Sequence, residues 1–272
     1  MQQSSAAAPF LVPDWPEAPA NIGFLCTTRR GGVSPDPYGD GQGGGGLNLG
    51  THVGDTAVFV ATNRAILLGK LPSAPAWLSQ VHGAGVVRAD RMPRGEAPSA
   101  DASIARTPGA VCAIQTADCL PVLFTNRAGT VVGAAHAGWR GMAGGVLEAT
   151  IAAMRAEIAG EPGDEIIAWL GPAIGPQEFE VGEDVLTAFC ASAAAKGGQG
   201  GDAVRSAFQP RDGKPGKYLA DIYALARLVL GQAGVASVAG GDRCTVTEAE
   251  TFYSYRRDQV TGRQASLIWI KE

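Results

Sequence analysis

Short β-type runs between residues 76 and 136 constrain the fold of this chain more than any other feature. They are rich in valine and alanine and bounded by Gly, Pro, Asn and Asp, the pattern typical of short strands. The runs are 76–81, 85–89, 101–105, 110–116, 120–125 and 130–136. Further strands are predicted over 22–27, 166–170, 235–239 and 265–270. Apolar residues at helical spacing predict helices over 55–71, 141–158, 184–195 and 219–233.

Strands and helices alternate irregularly along the chain, and strands outnumber helices. This order favours an α/β (α+β) class of mixed sheets covered by helices over a regular βα repeat. The 272 residues are 46% hydrophobic, which suffices for a sizeable core. No repeat or linker divides the chain, so we expect a single domain over 21–272. A Pro- and Ala-rich flexible lead-in over 1–20 precedes it, and Gly-rich loops are predicted over 31–46 and 197–216.

Composition excludes several classes of function. The net charge is −4 and basic residues form no stripe, so nucleic-acid binding is not expected. No apolar stretch approaches the roughly 18 residues of a membrane span, and the first residues lack the pattern of a secretory signal. The five cysteines are an odd number at irregular spacing, as in free thiols of a reducing cytosol. We therefore expect a soluble cytoplasmic protein.

Histidine is scarce in this chain, so the positions of its three copies carry information. His82 lies in SQVHG, Cys119 in TADCLP and His136 in AAHAGWRG. Two imidazoles and one thiolate form a three-ligand set for a catalytic zinc, with a fourth position open for water or substrate. The wide spacing excludes a local zinc knuckle and requires separate strand ends to converge. Each residue also has an alternative interpretation, a buried thiol for Cys119 and a hydrogen-bonded histidine for the other two.

Several further residues are candidates for substrate contact or catalysis. The third histidine, His52, follows Asn48 in the segment NLGTHVGD, and both are predicted to line the same cleft. A fourth metal ligand is the alternative role for His52. Asp118 is a candidate general acid or base, or an orienter of a ligating imidazole, and Asp101 is a second such carboxylate. Gln177 and Phe179 follow a predicted strand and could contact a planar ring.

Arginines supply candidate anion-binding groups. Arg140 directly follows the His136 motif, where a helix is predicted to begin, and it is the strongest candidate for a phosphate or carboxylate. The other candidates form two pairs, Arg29 with Arg30 and Arg256 with Arg257. The alternative for any one of them is a solvated surface position.

Seven segments together resemble one known family. They read TTRRGGVS, NLGTHVGD, SQVHG, TADCLPVLF, AAHAGWRG, LGPAIGPQEFEV and FYSYRRD. The chain is similar, over roughly residues 20–271, to the bacterial polyphenol-oxidase or laccase-domain family, also named purine nucleoside phosphorylase and peptidoglycan editing factor. The stretches 39–46 and 197–216 depart from the family pattern.

The resemblance implies a layered α/β/β/α fold with zinc on His82, Cys119 and His136. It implies cleavage of adenosine, inosine or methylthioadenosine by phosphate to the free base and a sugar phosphate, together with adenosine deamination. Two other functions stay open at this point. One is a cysteine amidase that edits peptidoglycan precursors (UDP-MurNAc-amino acids), with Cys119 as nucleophile. The other is a non-enzymatic metal-binding or regulatory protein.

Copper is the alternative metal, and the polyphenol-oxidase name implies it. Three histidines cannot supply the imidazoles that a mononuclear copper and a trinuclear cluster need. A single copper on two histidines and Cys119 is the remaining form, with Met142 as an axial ligand. The zinc-deaminase signature H-x-E with P-C-x-x-C is absent from the sequence, so any deamination would use a different set of residues.

Overall fold

The computed structural model describes residues 8–93, 95–195 and 201–272. Their strands are β1 (Phe10–Leu11), β2 (Ile22–Thr27), β3 (Arg30–Ser34), β4 (Val86–Arg88), β5 (Ala102–Ala105), β6 (Cys112–Thr116), β7 (Leu120–Asn126), β8 (Val132–Ala137), β9 (Ile166–Leu170), β10 (Glu180–Gly182), β11 (Phe208–Pro210), β12 (Lys217–Ala220), β13 (Ser237–Gly240) and β14 (Gln264–Ile270). Their helices are α1 (Ala57–Leu68), α2 (Trp139–Ala143), α3 (Val146–Ile158), α4 (Glu183–Ala195), α5 (Gly201–Ser206), α6 (Ile222–Gln232) and α7 (Tyr255–Asp258).

Two sheets form the centre of the molecule. A four-stranded antiparallel sheet has the order β1-β2-β14-β6, and a six-stranded mixed sheet has the order β13-β9-β7-β8-β5-β4. The six-stranded sheet is parallel only in its two edge pairs, β13 with β9 and β4 with β5. A small sheet, β10-β12-β11, lies apart from both. The prediction of mixed sheets covered by helices is confirmed.

Three hydrophobic clusters separate four layers. The largest packs the six-stranded sheet against α2, α3, α4 and α6, with Phe124 and Leu147 fully buried. The second lies between the two sheets, where Ile114 of β6 meets Leu123 of β7. The third packs the four-stranded sheet against α1 through Leu67. The layers therefore follow the α/β/β/α order that the family resemblance implies.

The ends of the domain meet in the four-stranded sheet. β14 near the C-terminus pairs with β2 near the N-terminus, in a register that places Leu267 opposite Leu25. This closure supports the expectation of a single domain over 21–272, which stays a prediction. The described helices contain none with the length and apolarity that crossing a bilayer requires.

Several local predictions differ from the structure. The predicted helix over 141–158 is two helices, because Gly145 adopts φ +94° between α2 and α3. The lead-in is not loose from residue 8 onward, since β1 pairs with β2 and Trp15 is buried; residues 1–7 lie outside the described residues. The run 76–81 makes only isolated bridges, at Ala76 and Ser79.

The two Gly-rich stretches, predicted as loops, also contain regular secondary structure. The stretch 31–46 begins inside β3, and 201–216 contains α5 and β11, while residues 196–200 lie outside the described residues. These strands escape prediction because they are three to five residues long and partly exposed, so their apolar alternation is weak.

Candidate metal and substrate site

Cys119 lies at the junction of the two sheets. β6 ends at Thr116 in the four-stranded sheet, and β7 begins at Leu120 in the six-stranded sheet, so the turn over 117–119 crosses between layers. Asp118, in this turn, has a φ of +93°. A positive φ is uncommon for a residue other than glycine and is retained where the surroundings enforce it.

His136 faces the space between the sheets. Val132 and Ala134 of β8 belong to the inter-sheet core, and side chains alternate along a strand, so His136 continues that face at the strand end. Its register partner on β7 is Pro121, two residues after Cys119. The pairing of β7 with β8 therefore brings the imidazole beside the thiol.

His82 reaches the site from the loop before β4. Its φ is +60°, and its backbone N–H donates to Oδ1 of Asp101 at 2.9 Å. The same carboxylate accepts the N–H groups of Val81 at 3.2 Å and Gly83 at 2.7 Å. This set of contacts holds the loop in a backbone conformation that histidine rarely adopts.

Asp101 also orients His136. Its Oδ1 lies 2.8 Å from Nδ1 of His136, and its carbonyl accepts the His136 N–H at 2.7 Å. Burial raises the pKa of Asp101, but the hydrogen bonds from His136 and Gly83 outweigh it and leave this pKa below its ordinary value. An ionised Asp101 fixes the proton of His136 on Nδ1, so Nε2 faces the site. The orienting carboxylate is therefore Asp101, and Asp118 has other partners.

The three candidate ligands form a group that can hold one metal ion. Their ligand atoms all lie within 4.8 Å of one another, and Sγ of Cys119 is 3.8 Å from Nε2 of His82. Tetrahedral zinc with ordinary Zn–S and Zn–N bonds would separate such atoms by about 3.5 Å. Gly138 preserves the space beside them, since a Cβ there would lie 3.0 Å from Cys119 Sγ and 3.0 Å from His82 Cδ2.

The thiol of Cys119 and the imidazole of His136 each shift the pKa of the other toward its charged form. Burial raises the pKa of Cys119, but the charge of His136 and hydrogen bonds from both histidines outweigh it and lower the pKa to about 6. Burial lowers the pKa of His136, but the charge of Cys119 and the hydrogen bond to Asp101 raise it to about 9. A thiolate at neutral pH is the form that binds a metal.

His82, Cys119 and His136, hereafter the triad, line a cavity of about 490 Å³, a volume within the range of small-molecule sites. The lining includes apolar, neutral polar and cationic groups. It consists of His52, Leu78, Gln80, His82, Gln115, Thr116, Ala117, Asp118, Cys119, His136, Trp139, Arg140, Ile174, Phe179, Ile222, Tyr255, Arg256 and Arg263. A ligand here can contact the triad and reach both charged and neutral groups.

Arginines give the cavity an anion-binding character. The guanidinium of Arg140 lies 4.4 Å from the ring centroid of Trp139, and no described residue supplies it with a hydrogen-bond acceptor. Arg263 is half-buried, and burial lowers its pKa while the charges of Cys119 and Asp118 act in the opposite direction. Guanidinium groups carry a positive charge in proteins. Arg256 also lines the cavity, but its guanidinium donates to the carbonyls of Glu178 and Glu180.

Asp118 lines the cavity with both carboxylate oxygens in use. Oδ1 accepts from the Thr245 hydroxyl at 2.6 Å, and Oδ2 accepts from the Arg256 N–H at 2.6 Å. The bond to Arg256 connects the first turn of α7 to the turn over 117–119, which contains Cys119. His52 lines the cavity as well, where desolvation and then the charges of Arg263 and Arg64 lower its pKa and favour the neutral ring.

Three other sequence candidates, Arg29, Arg30 and Asn48, do not line this cavity. The guanidinium of Arg29 donates to the carbonyls of Gly39 and Ala249, and Arg30 pairs with Glu250. Fully buried Asn48 donates to Asp55 and accepts from the N–H of Arg263.

Three further candidates differ in burial. Gln177 is exposed outside the cavity, whereas Phe179, two residues later, lines it. Met142 is fully buried in the helix-side core and does not line the cavity.

Several groups in the cavity were not predicted from the sequence, among them Arg263, Gln115 and Thr116. Arg263 precedes β14, and Gln115 and Thr116 end β6. A polar pair that ends an apolar strand shortly before Cys119 was a usable signal for Gln115 and Thr116. Arg263 gave none, because its neighbours are polar and form no periodic pattern.

Comparison with known proteins places these features in a family. The family model described as "Multi-copper polyphenol oxidoreductase laccase" matches residues 23–271. A protein of Escherichia coli named purine nucleoside phosphorylase YfiH is 52% identical over 96% of this chain and 98% of its own length. A purine nucleoside phosphorylase of Pseudomonas aeruginosa is 51% identical over 97% of this chain and 99% of its own length.

Solved structures agree with these matches. A Neisseria meningitidis protein, NMB0706, superposes with a TM-score of 0.84 at 50% identity, covering 97% of this chain and all of its own. YlmD from Geobacillus stearothermophilus gives a TM-score of 0.81 at 30% identity, covering 98% of this chain and 97% of its own.

Proposed function

Since the chain belongs to the multi-copper polyphenol oxidoreductase laccase family, we propose that it is a zinc-dependent purine nucleoside phosphorylase of that family. The observation that carries the proposal is the convergence of His82, Cys119 and His136 within 4.8 Å at the base of an arginine-bearing cavity. The names of its relatives support the reaction class.

In the proposed reaction, a phosphate oxygen bonds to the anomeric carbon of the nucleoside while the bond from that carbon to the base nitrogen breaks. The products are the free base and a sugar 1-phosphate. The phosphate charge is met by Arg140 and Arg263, which remain cationic and line the cavity. When bound to the triad, zinc supplies a Lewis acid that polarises a phosphate or water oxygen.

The remaining residues of the site position these groups. Asp101 orients the His136 imidazole and holds the backbone of the loop that carries His82. Asp118 fastens α7, which places Tyr255 and Arg256 on the cavity wall. Asp118 also stays our candidate for proton transfer, because its carboxylate is within the cavity lining.

Adenosine, inosine and methylthioadenosine are the proposed substrates, with adenosine deamination as a side activity. We place the activity in the cytoplasm, because all five cysteines are free thiols and a reducing compartment preserves them. Copper-dependent polyphenol oxidation finds less support. The chain has three histidines, and Met142 lies in the core rather than beside the triad.

The test incubates the zinc-containing protein with inosine or adenosine, with and without inorganic phosphate. Phosphate-dependent release of hypoxanthine or adenine is expected. Replacement of His82 by alanine should abolish it, while the surface variant Arg127→Ala should retain it, because Arg127 only pairs with exposed Glu165. Release that is independent of phosphate, or absent from the wild type, would contradict the proposal.

A cysteine amidase is the second candidate, favoured by one observation. The thiol of Cys119, with its pKa near 6, lies beside an imidazole that a buried carboxylate orients, as in nucleophilic cysteine sites. The thiolate would attack an amide carbon of a peptidoglycan precursor, the amine would leave with an imidazolium proton, and water would hydrolyse the thioester. This amidase should work after chelation of metal and show a trapped acyl adduct by mass spectrometry. The phosphorylase should do neither.

A further inference from the structure

Part of the cavity lining is polar but uncharged. Gln80, Gln115 and Thr116 line it together with Leu78. The side chain of Gln80 is committed to the backbone, since it donates to the Gln115 carbonyl at 2.8 Å and accepts from the Gln115 N–H at 2.9 Å. Gln80 therefore fixes the end of β6, and the side chains of Gln115 and Thr116 remain available.

Both of these side chains carry a buried oxygen without a protein partner. Within residues 8–93, 95–195 and 201–272, neither Oε1 of Gln115 nor Oγ1 of Thr116 has a hydrogen-bond partner. The two residues are 7% and 2% exposed. Burying an unpaired polar oxygen costs free energy, so a native protein that retains two at one site has a reason beyond packing.

We propose that the Gln115 amide, assisted by the Thr116 hydroxyl, recognises the heterocyclic base of the nucleoside. This inference rests on the proposed function and adds the group that selects the base. An amide presents an acceptor and a donor side by side, which matches a 6-aminopurine edge. Turned over, the same amide matches the N1–H and O6 of a 6-oxopurine. The terminal torsion of glutamine is broad, so the amide can turn toward the ligand in either sense.

The charges of the two substrates support this assignment of the Gln115 amide to the base. The base of a nucleoside is neutral, and a neutral amide binds it without the desolvation cost of an ion. Arg140 and Arg263 suit the phosphate instead. In this arrangement the base binds to neutral groups of the cavity lining and the phosphate binds to the arginines.

The test uses Gln115→Met, which keeps the length of the side chain and removes its hydrogen-bonding atoms. Thermal unfolding and kinetics are measured on the zinc-containing protein. The expected result is an unfolding midpoint at or above that of the wild type, because an unpaired buried oxygen is removed. The KM for adenosine and inosine should rise about tenfold or more, and the KM for phosphate should stay within about twofold. A purely structural residue would instead lower the unfolding midpoint.

A matched pair of threonine variants provides the control. Thr116→Val and Thr261→Val each remove a buried hydroxyl that lacks a partner among the described residues, without changing side-chain shape. Thr116 lines the cavity and Thr261 does not. Only Thr116→Val should raise the KM for nucleoside.

Two results would overturn the inference. One is an unchanged nucleoside KM in Gln115→Met, and the other is a parallel rise in the KM for phosphate. Calorimetry with adenosine separates this inference from the phosphorylase assignment. If the wild type binds adenosine without turnover and Gln115→Met loses that binding, the phosphorylase assignment fails and the role of Gln115 stands. If the wild type neither binds nor cleaves adenosine, both fail.

Discussion

Asp101 and His136 form the contact on which the site depends, with Oδ1 of the carboxylate 2.8 Å from Nδ1 of the imidazole. The same carboxylate accepts three consecutive backbone N–H groups, from Val81 to Gly83. One buried side chain therefore positions two candidate ligands that are 54 residues apart in sequence (136 − 82). Contacts within the protein therefore hold the His136 ring and the backbone of the His82 loop.

Replacement of Asp101 by asparagine should weaken zinc binding about 10- to 100-fold, because the oriented histidine loses its charged partner. The free energy of unfolding should fall by about 1–3 kcal/mol, since an amide cannot accept from all three N–H groups. Chelator competition measures the first quantity and denaturant titration the second.

Asp118→Asn serves as the control, because asparagine tolerates a positive φ and Asp118 bonds Thr245 and Arg256 rather than a ligand. Its zinc affinity should match that of the wild type. Equal losses in both variants would argue against a specific role for Asp101.

Replacement of Gly138 by alanine should remove zinc while preserving the fold. Gly138 has φ −59° and ψ 153°, which any residue adopts, so the backbone suffers no strain. The new methyl group would occupy the space beside Cys119 and His82. Elemental analysis and circular dichroism test the two parts. Gly231→Ala, whose Cβ would enter open space, should retain both zinc and fold. Full zinc content in Gly138→Ala would place the metal elsewhere.

Arg140→Ala and Arg263→Ala should each raise the KM for phosphate by about tenfold or more, the range expected for a charge-assisted hydrogen bond. The KM for nucleoside should change less, because the base is neutral. Steady-state kinetics with each substrate varied separately measures both constants. If the nucleoside KM alone rises, the arginines do not form the phosphate site.

Asp90 should contribute a pH-dependent part of the stability. Burial raises its pKa, but hydrogen bonds from Arg88 and from the N–H groups of Arg106 and Thr107 outweigh it and hold the pKa well below its usual range. A depressed folded-state pKa stabilises the protein above the unfolded pKa of about 3.9, and this contribution is lost as pH falls. Asp90→Asn should therefore destabilise by about 1–3 kcal/mol at pH 7 and progressively less below pH 4. Urea titrations at pH 7 and pH 3 test this, and an equal difference at both would contradict it.

The sequence was most informative where apolar runs form central strands. The predictions over 22–27 and 166–170 match β2 and β9 residue for residue, because these strands are buried on both faces. The candidate ligands were predictable because histidine is rare. Cys119 and His136 lie at strand ends, and His82 lies in the loop before β4. The sequence offered Asp101 and Asp118 as candidate orienting carboxylates, and only the tertiary contact of Asp101 with His136, 35 residues apart, distinguishes them.

The sequence also could not show which arginines line the cavity. Arg29 and Arg140 have similar glycine-rich neighbours in sequence, yet one supports the backbone of a loop and the other lines the cavity. Only tertiary structure decides which carbonyls lie within reach of a guanidinium. The same holds for Arg263, whose place beside Cys119 follows from the pairing of β14 with β6.

The most direct test of the central claim is the zinc content of wild-type protein and of His82→Ala, purified without added metal. The account predicts about one zinc per wild-type chain and a loss of both zinc and phosphate-dependent base release in the variant. A wild type that releases base at full rate without metal, or a variant that keeps its zinc, would contradict it.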